Sequence, residues 1–152
     1  MLSDGFGAVF RADYDPVAKT FGNPTIIAGN MNDKGFHEGT GGSARFSKPQ
    51  FGIFVKNDEY GEGVGPDQDQ YDFYFCDRDN HCIWKLDPHG VATLVAGRSN
   101  ENADNKVNGY VDGNPVHEAR FNSPSGLAYD PAQDIFYIGD IDDKGIRYMT
   151  TE

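Results

Sequence analysis

Residues 25–54 contain the phrases TIIAG, GFHEG and ARFSKPQFGIF, and residues 93–128 repeat them as TLVAG, GYVDG and ARFNSPSGLA. An aromatic strand that ends in aspartate follows each copy, and a further strand comes after it, in YDFYFCDRDNHCIWKLD at residues 71–87 and in DIFYIGDIDDKGIRYMT at residues 134–150. A strand-rich period of roughly 60 to 75 residues is typical of radial or solenoidal repeat proteins. The sequence therefore predicts a repeat architecture.

The two copies differ in length only within polar, glycine-rich stretches. Arg45 corresponds to Arg120, 75 residues further along the chain, whereas Asp77 corresponds to Asp140, 63 residues further along. Surface loops tolerate such differences and strands do not. We therefore expect strands of equal length joined by variable loops.

The composition limits the possible partners. The chain carries a formal net charge of −11, which argues against nucleic acid and anionic membranes, because phosphate binding needs a basic face. A cation, a neutral glycan or a basic protein surface is an easier partner, although the acidic residues can simply keep a loop-rich protein soluble. The 19 glycines, 8 prolines and 13% aromatic residues indicate tight turns between aromatic strands, which is an all-β composition.

The order of strands and turns predicts a β-propeller, whose blades are sheets of four short antiparallel strands. No segment has a helical period long enough to predict a stable helix. We expect nine strands, at residues 7–14, 24–28, 49–55, 71–76, 82–86, 91–96, 124–129, 135–139 and 145–150.

These strands amount to about two to two and a half blades. Residues 1–28 are expected to end a preceding blade, residues 49–96 to form the first full blade, and residues 124–152 to form an incomplete second blade. A closed ring typically needs four to eight blades. We therefore expect a piece of a longer propeller, or a ring that closes by self-association with other copies.

Several motifs resemble NHL repeats. PSGLAYD at residues 124–130 is similar to the P-x-G-[IL]-A-[VL]-D strand of that family, and DRDNHCI at residues 77–83 resembles its D-x-x-N-x-x-I hairpin. The first copy departs from the pattern, because KPQFGI at residues 48–53 shifts the glycine. In the second hairpin, Asp143 and Lys144 replace the Asn-His pair.

The spacer A-G…G-[FY]-x-[DE]-G…A-R-F-x-x-P further resembles the extended NHL propellers of bacterial cell-surface proteins, which often carry an immunoglobulin-like IPT/TIG domain. The resemblance implies a propeller fold, and it leaves function open because a propeller hosts binding and catalysis alike. It marks structural repeat positions at Pro49, Pro124, Gly126, Asp77 and Asp140.

The two cysteines, Cys76 and Cys82, flank one hairpin turn, and we expect them to face one another. Their counterparts are Gly139 and Gly145, another pair of small residues. A disulfide and two close-packed free thiols both fit, and the free thiols are favoured. A zinc site would need more ligands than the two cysteines and His81 supply.

Residues that recur in both copies are expected to be scaffold. Arg45 and Arg120 recur together with Glu38 and Asp112, which predicts an ion pair between loop and strand in each blade. Asp77 and Asp140 are expected to cap their hairpin turns, and the apolar pairs are expected to form the core between blades, at Phe46, Phe121, Ile53, Leu127, Phe75 and Ile138.

Residues without a counterpart are better candidates for function, and none of the four histidines has one. For each of them an exposed or locally hydrogen-bonded side chain is the favoured alternative, since His81 lies in a hairpin turn and His89 lies beside a solvent-exposed turn. No catalytic residue and no metal ligand set is identified. The ligand-binding candidates are His37, His81, Tyr110 and His117, together with the duplicated Arg45 and Arg120, for which a ligand role is the alternative to the ion pair.

The loop at residues 56–70 is acidic. Its carboxylates could hold calcium, although their spacing does not match an EF-hand and a solvated loop is the favoured alternative. No other cofactor is expected. The carboxylates are Asp58, Glu59, Glu62, Asp67 and Asp69.

The leading hypothesis is a non-enzymatic propeller segment of a secreted or surface protein. It binds protein or carbohydrate on the face made by loops 30–45 and 98–120 and turns 77–81 and 140–144. The alternatives are a metal-assisted lyase or hydrolase of the NHL-propeller type, with axis ligands mostly outside this chain, and a structural spacer. The sequence shows no signal peptide and no membrane-spanning run, so we expect no membrane insertion. A cell-surface, periplasmic or extracellular location is expected for the parent protein.

Overall fold

The computed structural model describes residues 6–60, 70–97 and 106–150 and is built from short antiparallel strands. These ranges contain 3-10 turns and no α-helix, so no helix in them could cross a bilayer. The all-β prediction is confirmed. The strands are β1 (Gly7–Arg11), β2 (Tyr14–Asp15), β3 (Thr20–Phe21), β4 (Thr25–Asn30), β5 (Gly39–Thr40), β6 (Pro49–Lys56), β7 (Tyr71–Asp77), β8 (Cys82–Leu86), β9 (Val91–Gly97), β10 (Pro124–Asp130), β11 (Ile135–Asp140) and β12 (Gly145–Thr150).

One complete blade lies in the middle of the chain. Strands β6, β7, β8 and β9 pair in sequence order as an antiparallel sheet, and β5 adds two residues outside β9. We call this sheet blade 1. Strands β10, β11 and β12 form a second antiparallel sheet, which we call blade 2.

Strands β1 and β4 form a separate antiparallel pair that repeats the third and fourth strands of a blade. The ladder between β1 and β4 shifts register after Val9, and the ladder between β8 and β9 shifts register after Ile83, its counterpart. The small strands β2 and β3 extend this hairpin; the predicted strand 7–14 is interrupted between Arg11 and Tyr14, and β3 was not predicted. The described chain is thus a partial propeller, as the repeat predicted.

The Ala-Gly pair of each repeat has a backbone reason. Gly29 lies one residue before the end of β4 and Gly97 ends β9, with φ of 90° and 88°, a conformation that side chains disfavour. A Cβ on Gly97 would also lie 2.5 Å from the carbonyl oxygen of His81 and 2.6 Å from the ring of Phe121. Glycine is therefore required where the outer strand meets the next loop.

The shifted glycine of the first copy makes room for an aromatic ring. Gly52 lies opposite Phe75, at the place where blade 2 has Leu127 opposite Ile138. A Cβ on Gly52 would collide with the ring of Phe73. Gly52, rather than the expected Ile53, is therefore the structural equivalent of Leu127. Ile53 is only partly buried, at the edge of the core.

Two apolar clusters hold the sheets together. The first packs the β1–β4 pair against blade 1 and contains Val9, Ala28, Ala44, Phe46, Phe75, Cys82, Trp84, Leu86 and Ala92. The second packs blade 1 against blade 2 and contains Val55, Tyr74, Cys76, Ile83, Ala96, Phe121, Leu127, Phe136, Ile138 and Met149. Burial between successive sheets is the main stabilising term of repeat architectures.

The cysteine geometry differs from the prediction. Both thiols are free and buried, as favoured, but they do not face one another. Cys76 lies opposite Ile83 and Cys82 lies opposite Asp77, so the two side chains point to opposite faces of blade 1. Each sulfur accordingly belongs to a different one of the two clusters.

A Gly97→Ala substitution is expected to lower the free energy of unfolding by about 1–3 kcal/mol, because alanine is strained at this positive φ. Urea denaturation of the variant and the parent chain measures the loss. Gly42→Ala is the matched control, because a Cβ there meets nothing within 4 Å and φ is not positive. Equal effects of the two substitutions would contradict the explanation.

Candidate functional site

Two long loops and two tight turns lie at one edge of the two blades. Loop 31–48 leads into β6 and loop 106–123 leads into β10, while turn 78–81 joins β7 to β8 and turn 141–144 joins β11 to β12. Backbone hydrogen bonds tie each turn to the neighbouring loop. One of them runs from the Arg78 amide to the Lys48 carbonyl oxygen at 3.1 Å. We call this surface the loop face.

Each loop folds back on itself as a small hairpin. His37 pairs with Arg45 through the backbone, and Val111 pairs with Arg120 in the same way. The amide of Gly35 donates to the carbonyl oxygen of Phe46, and the amide of Gly109 donates to that of Phe121, both at 3.1 Å. The loop face is therefore built from two equivalent, backbone-bonded excursions.

Asp77 anchors the first loop rather than capping its own turn. Its carboxylate is fully buried and accepts from the backbone amide of Lys48 at 2.7 Å and of Ser47 at 3.0 Å. It also accepts from Asn80 Nδ2 at 2.6 Å and Trp84 Nε1 at 3.2 Å. Burial raises the pKa of Asp77, and these four donors oppose that shift. The prediction that Asp77 caps its own hairpin turn was therefore wrong, because the backbone amides that it binds belong to the preceding loop.

Asp140 plays the same part in blade 2. Its carboxylate accepts from the amide of Asn122 at 2.8 Å. Burial raises the pKa of Asp140 to about 6, the Asn122 amide opposes this, and Asp143 raises it further. The position of Trp84 is taken by Arg147, whose Nη1 lies 3.8 Å from the Asp140 carboxylate.

Arg147 is the central residue of the second loop, and sequence reasoning missed it. The guanidinium is buried and donates to the carbonyls of Arg120 and Val111 and to the carboxylate of Asp112. The rings of Tyr110 and Phe121 lie on it, each with its centroid at 4.7 Å. Aligning Trp84 with Arg147 in the repeat would have exposed the substitution.

In blade 1 the equivalent position, Trp84, is surrounded by aromatic rings instead. Phe36 and Phe46 contact the Trp84 ring with centroid distances of 5.2 Å and 5.5 Å. Phe36 is 37% exposed, whereas Tyr110, its counterpart in blade 2, is 61% exposed. The second loop therefore presents more aromatic surface to solvent, held in place by a cation beneath it.

The predicted loop-to-strand ion pairs have other partners. Arg45 pairs with Asp33 at 2.8 Å and donates to loop carbonyls, while Glu38 accepts from the amide of Leu94 at 2.7 Å. Asp112 pairs with Arg147 at 2.5 Å. The duplicated residues therefore differ in their partners, because Arg45 pairs with a residue of its own loop, whereas Asp112 pairs with Arg147 of β12.

The candidate ligand residues are not gathered into one cluster. His37, His117 and Tyr110 are exposed on the loop face. His81 has a left-handed backbone and its Nδ1 accepts from the amide of Ser123 at 3.2 Å, so it links the two blades locally. Arg120 is buried, which removes its side chain from direct ligand contact.

A groove of about 620 Å³ runs beside β12. Tyr110, Asp112, Arg147 and Tyr148 lie along it. The corresponding space in blade 1 is filled by β9, which pairs with β8 and with β5. Within the described ranges, β12 pairs with β11 alone.

The calcium prediction concerns a loop that lies mostly outside the described residues, because Glu62, Asp67 and Asp69 belong to the range 61–69. At its ends, the buried Asp72 carboxylate accepts from Tyr60 Oη at 2.6 Å and Asn57 Nδ2 at 2.9 Å. Among residues 6–60, 70–97 and 106–150, no group of three or more possible ligands is placed to hold a metal ion.

No family model and no curated protein match this sequence, but solved structures do. An "auxiliary nutrient binding protein" from Bacteroides ovatus is 40% identical, with a TM-score of 0.86 over 95% of this chain and 32% of that one. Another from Bacteroides thetaiotaomicron is 40% identical, with a TM-score of 0.87 over 97% and 33%. A "Putative phosphatase" from Bacteroides thetaiotaomicron is 34% identical, with a TM-score of 0.85 over 97% and 31%. This chain spans about one third of the length of each.

Proposed function

We propose that this chain is part of a non-enzymatic, NHL-type propeller that binds a neutral glycan on its loop face. The observation that carries the proposal is the Tyr110 ring. It is 61% exposed, yet it lies 4.7 Å above the Arg147 guanidinium and so has a fixed orientation. An exposed ring held in this way is a ready platform for a ligand with an apolar face.

The chemistry around Tyr110 suits a sugar. One face of a pyranose ring presents C–H groups that pack on an aromatic ring, while its hydroxyls donate to carboxylates and amides. Asp112 and Asn114 follow Tyr110 in the same loop and are exposed. The net charge of −11 disfavours an anionic ligand and leaves a neutral glycan unopposed.

The scaffold under the loop face favours binding without large rearrangement. Asp77 and Asp140 hold the two loops by charge-assisted bonds to backbone amides. A surface that is ordered before binding loses less conformational entropy when the ligand arrives. The exposed His37 and His117 extend the same face, and we assign them to its outer contacts.

The comparisons support a binding role. Two proteins that are 40% identical over nearly the whole of this chain are described as auxiliary nutrient binding proteins. We extend that description to this chain and propose a cell-surface, periplasmic or extracellular location. We also propose the blade limits 1–28, 49–96 and 124–152, with the remainder of a longer propeller closing the ring.

Tyr110→Ala is expected to weaken glycan binding at least about tenfold, or about 1.4 kcal/mol. The substitution removes the aromatic ring on which the sugar packs and leaves the fold unchanged, because that ring is largely exposed. Isothermal titration with a panel of neutral oligosaccharides measures the change. Tyr14→Ala is the matched control. Tyr14 is 53% exposed and lies at the end of the β1–β4 hairpin that is farther from the loop face.

Full binding by the Tyr110 variant would contradict the site, and binding of protein ligands alone would contradict the glycan. Hydrolysis of the oligosaccharides, or phosphate release from p-nitrophenyl phosphate with stoichiometric bound metal, would favour an enzyme. The second assay answers the description of one similar structure as a putative phosphatase.

Arg147→Met is expected to lower both glycan affinity and stability, although Arg147 itself is buried below the platform. Loss of the buried cation leaves the carbonyl oxygens of Arg120 and Val111 without their donor, which costs about 3 kcal/mol of unfolding free energy. Urea denaturation and titration measure the two effects. Arg11→Met, at an exposed ion pair with Asp13, should change neither. Unchanged affinity in a folded Arg147 variant would show that the cation does not position Tyr110.

A further inference from the structure

Three residues at the inner edge of blade 1 differ in chemistry from their counterparts in blade 2. Strands β6 and β10 are edge strands of their sheets and lie against each other, so the channel around which the blades are arranged runs beside them. We call the loop-face end of β6, together with the start of turn 78–81, the inner rim. Its residues in blade 1 are Lys48, Phe51 and Arg78, and the counterparts in blade 2 are Ser123, Gly126 and Ile141.

The same backbone bond holds the inner rim together in both blades. The amide of Arg78 donates to the carbonyl oxygen of Lys48 at 3.1 Å, and the amide of Ile141 donates to that of Ser123 at 3.4 Å. Phe51 follows Lys48 by three residues, which span at most about 11 Å of chain. The three residues of blade 1 therefore lie within reach of one small ligand.

Arg78 has donors that the protein does not use. Its side chain is partly buried, and its Nε is buried without a hydrogen-bond partner. The guanidinium forms no ion pair with any carboxylate of residues 6–60, 70–97 and 106–150. Arg45 and Arg147 each bind a carboxylate instead. A partly buried arginine is usually paired, so Arg78 is available to an anion from outside the chain.

Lys48 adds a second cation without a counter-ion. Its side chain is partly buried, and no carboxylate in the described part of the chain lies within 4 Å of its ammonium group. The nearby Asp77 carboxylate is fully buried and already accepts from the backbone amides of Ser47 and Lys48. Asp79, next to Arg78, is exposed and joins neither cation in an ion pair.

The net charge of −11 disfavours anionic ligands in general, but it acts mainly through distant charges. Exposed charges more than about 8 Å apart are largely screened at physiological ionic strength. Two neighbouring cations without a counter-ion therefore make the inner rim a local exception on this acidic surface.

Phe51 has a strained backbone that the blade does not need. Its φ is 21°, which a bulky residue rarely adopts, and it is 54% exposed. It lies at a bulge of β6 and has no partner in the ladder with β7. Gly126, its counterpart, pairs with Gly139 and has no positive φ. Bulges and strained residues often present a side chain to a ligand, and here they present an aromatic ring.

We propose that Arg78, Lys48 and Phe51 form a second binding site, at the inner rim, for an acidic sugar residue. The carboxylate or phosphate group of the sugar binds the Arg78 guanidinium and the Lys48 ammonium, and the C–H face of the pyranose packs on Phe51. This site is separate from the Tyr110 platform, which belongs to loop 106–123 of blade 2, and it does not depend on a neutral glycan binding there.

Isothermal titration of the whole chain with glucuronate, glucose 6-phosphate, glucose and inorganic phosphate tests the ligand class. At least one acidic sugar should bind at least about tenfold more tightly than glucose, and its affinity should fall as salt is raised. Which acidic sugar binds tells whether the anionic group is a carboxylate or a phosphate. Equal binding of glucose would overturn the anion site, and inorganic phosphate that binds as tightly as the sugars would overturn the sugar.

Three variants install the residues that blade 2 already uses at these positions. Arg78→Ile should weaken binding of the acidic sugar at least about tenfold, Lys48→Ser should weaken it less, and Phe51→Gly should weaken it without lowering the urea midpoint, because strain is released. Arg11→Met removes one positive charge at an exposed ion pair with Asp13 and should change nothing. Parent-like binding by Arg78→Ile would overturn the anion site, and parent-like binding by Phe51→Gly would overturn the role of the ring.

The two proposed sites can be told apart. Tyr110→Ala should leave the binding of acidic sugars unchanged, and Arg78→Ile should leave the binding of neutral oligosaccharides unchanged. Loss of both ligands in either variant would overturn the separate site.

Proton–nitrogen NMR of the Arg78 Nε–H group keeps the proposal testable if a variant does not fold. The acidic sugar should shift this signal in the parent chain, and glucose should not. An Arg78 signal that stays in place while the acidic sugar binds would overturn the site.

Discussion

A buried aspartate at the end of the second strand of each blade is the interaction on which the rest depends. The loop that enters a blade has no sheet partner for its last amides, and Asp77 and Asp140 supply the missing acceptors. A carboxylate with such donors can remain buried, whereas an unpaired one cannot. The anchor fixes where each blade begins, and therefore how it packs on the preceding sheet.

The residue above the anchor decides the character of each loop. Trp84 completes an aromatic stack with Phe36 and Phe46, while Arg147 at the same position binds carbonyls and a carboxylate. A guanidinium can carry an exposed aromatic ring and still satisfy the backbone below it. The repeat thus keeps its geometry while one substitution changes a hydrophobic joint into a polar one with a presented tyrosine.

The repeat made the strands and the blade architecture predictable, because strand length and register follow from local patterns that recur. Partner choice was not predictable in the same way. Arg45 bonds to Asp33 rather than Glu38, because the path of the loop brings together residues that no repeat position marks. The prediction that the two cysteines face one another failed for a simpler reason. Their separation places them on opposite faces of the sheet, and alternation along the two strands would have shown it.

Comparing copies is the more informative use of such a sequence, since a scaffold position that changes its chemistry must change its physics. Asn80 donates its amide to Asp77 and to the carbonyl oxygen of Gly35, whereas Asp143, at the same repeat position, accepts from Asn122 Nδ2. The hydrogen-bond donor of one turn has become an acceptor in the next. A repeat protein can in this way change the hydrogen-bonding role of one position in one blade and leave the neighbouring blade, built on the same backbone, unchanged.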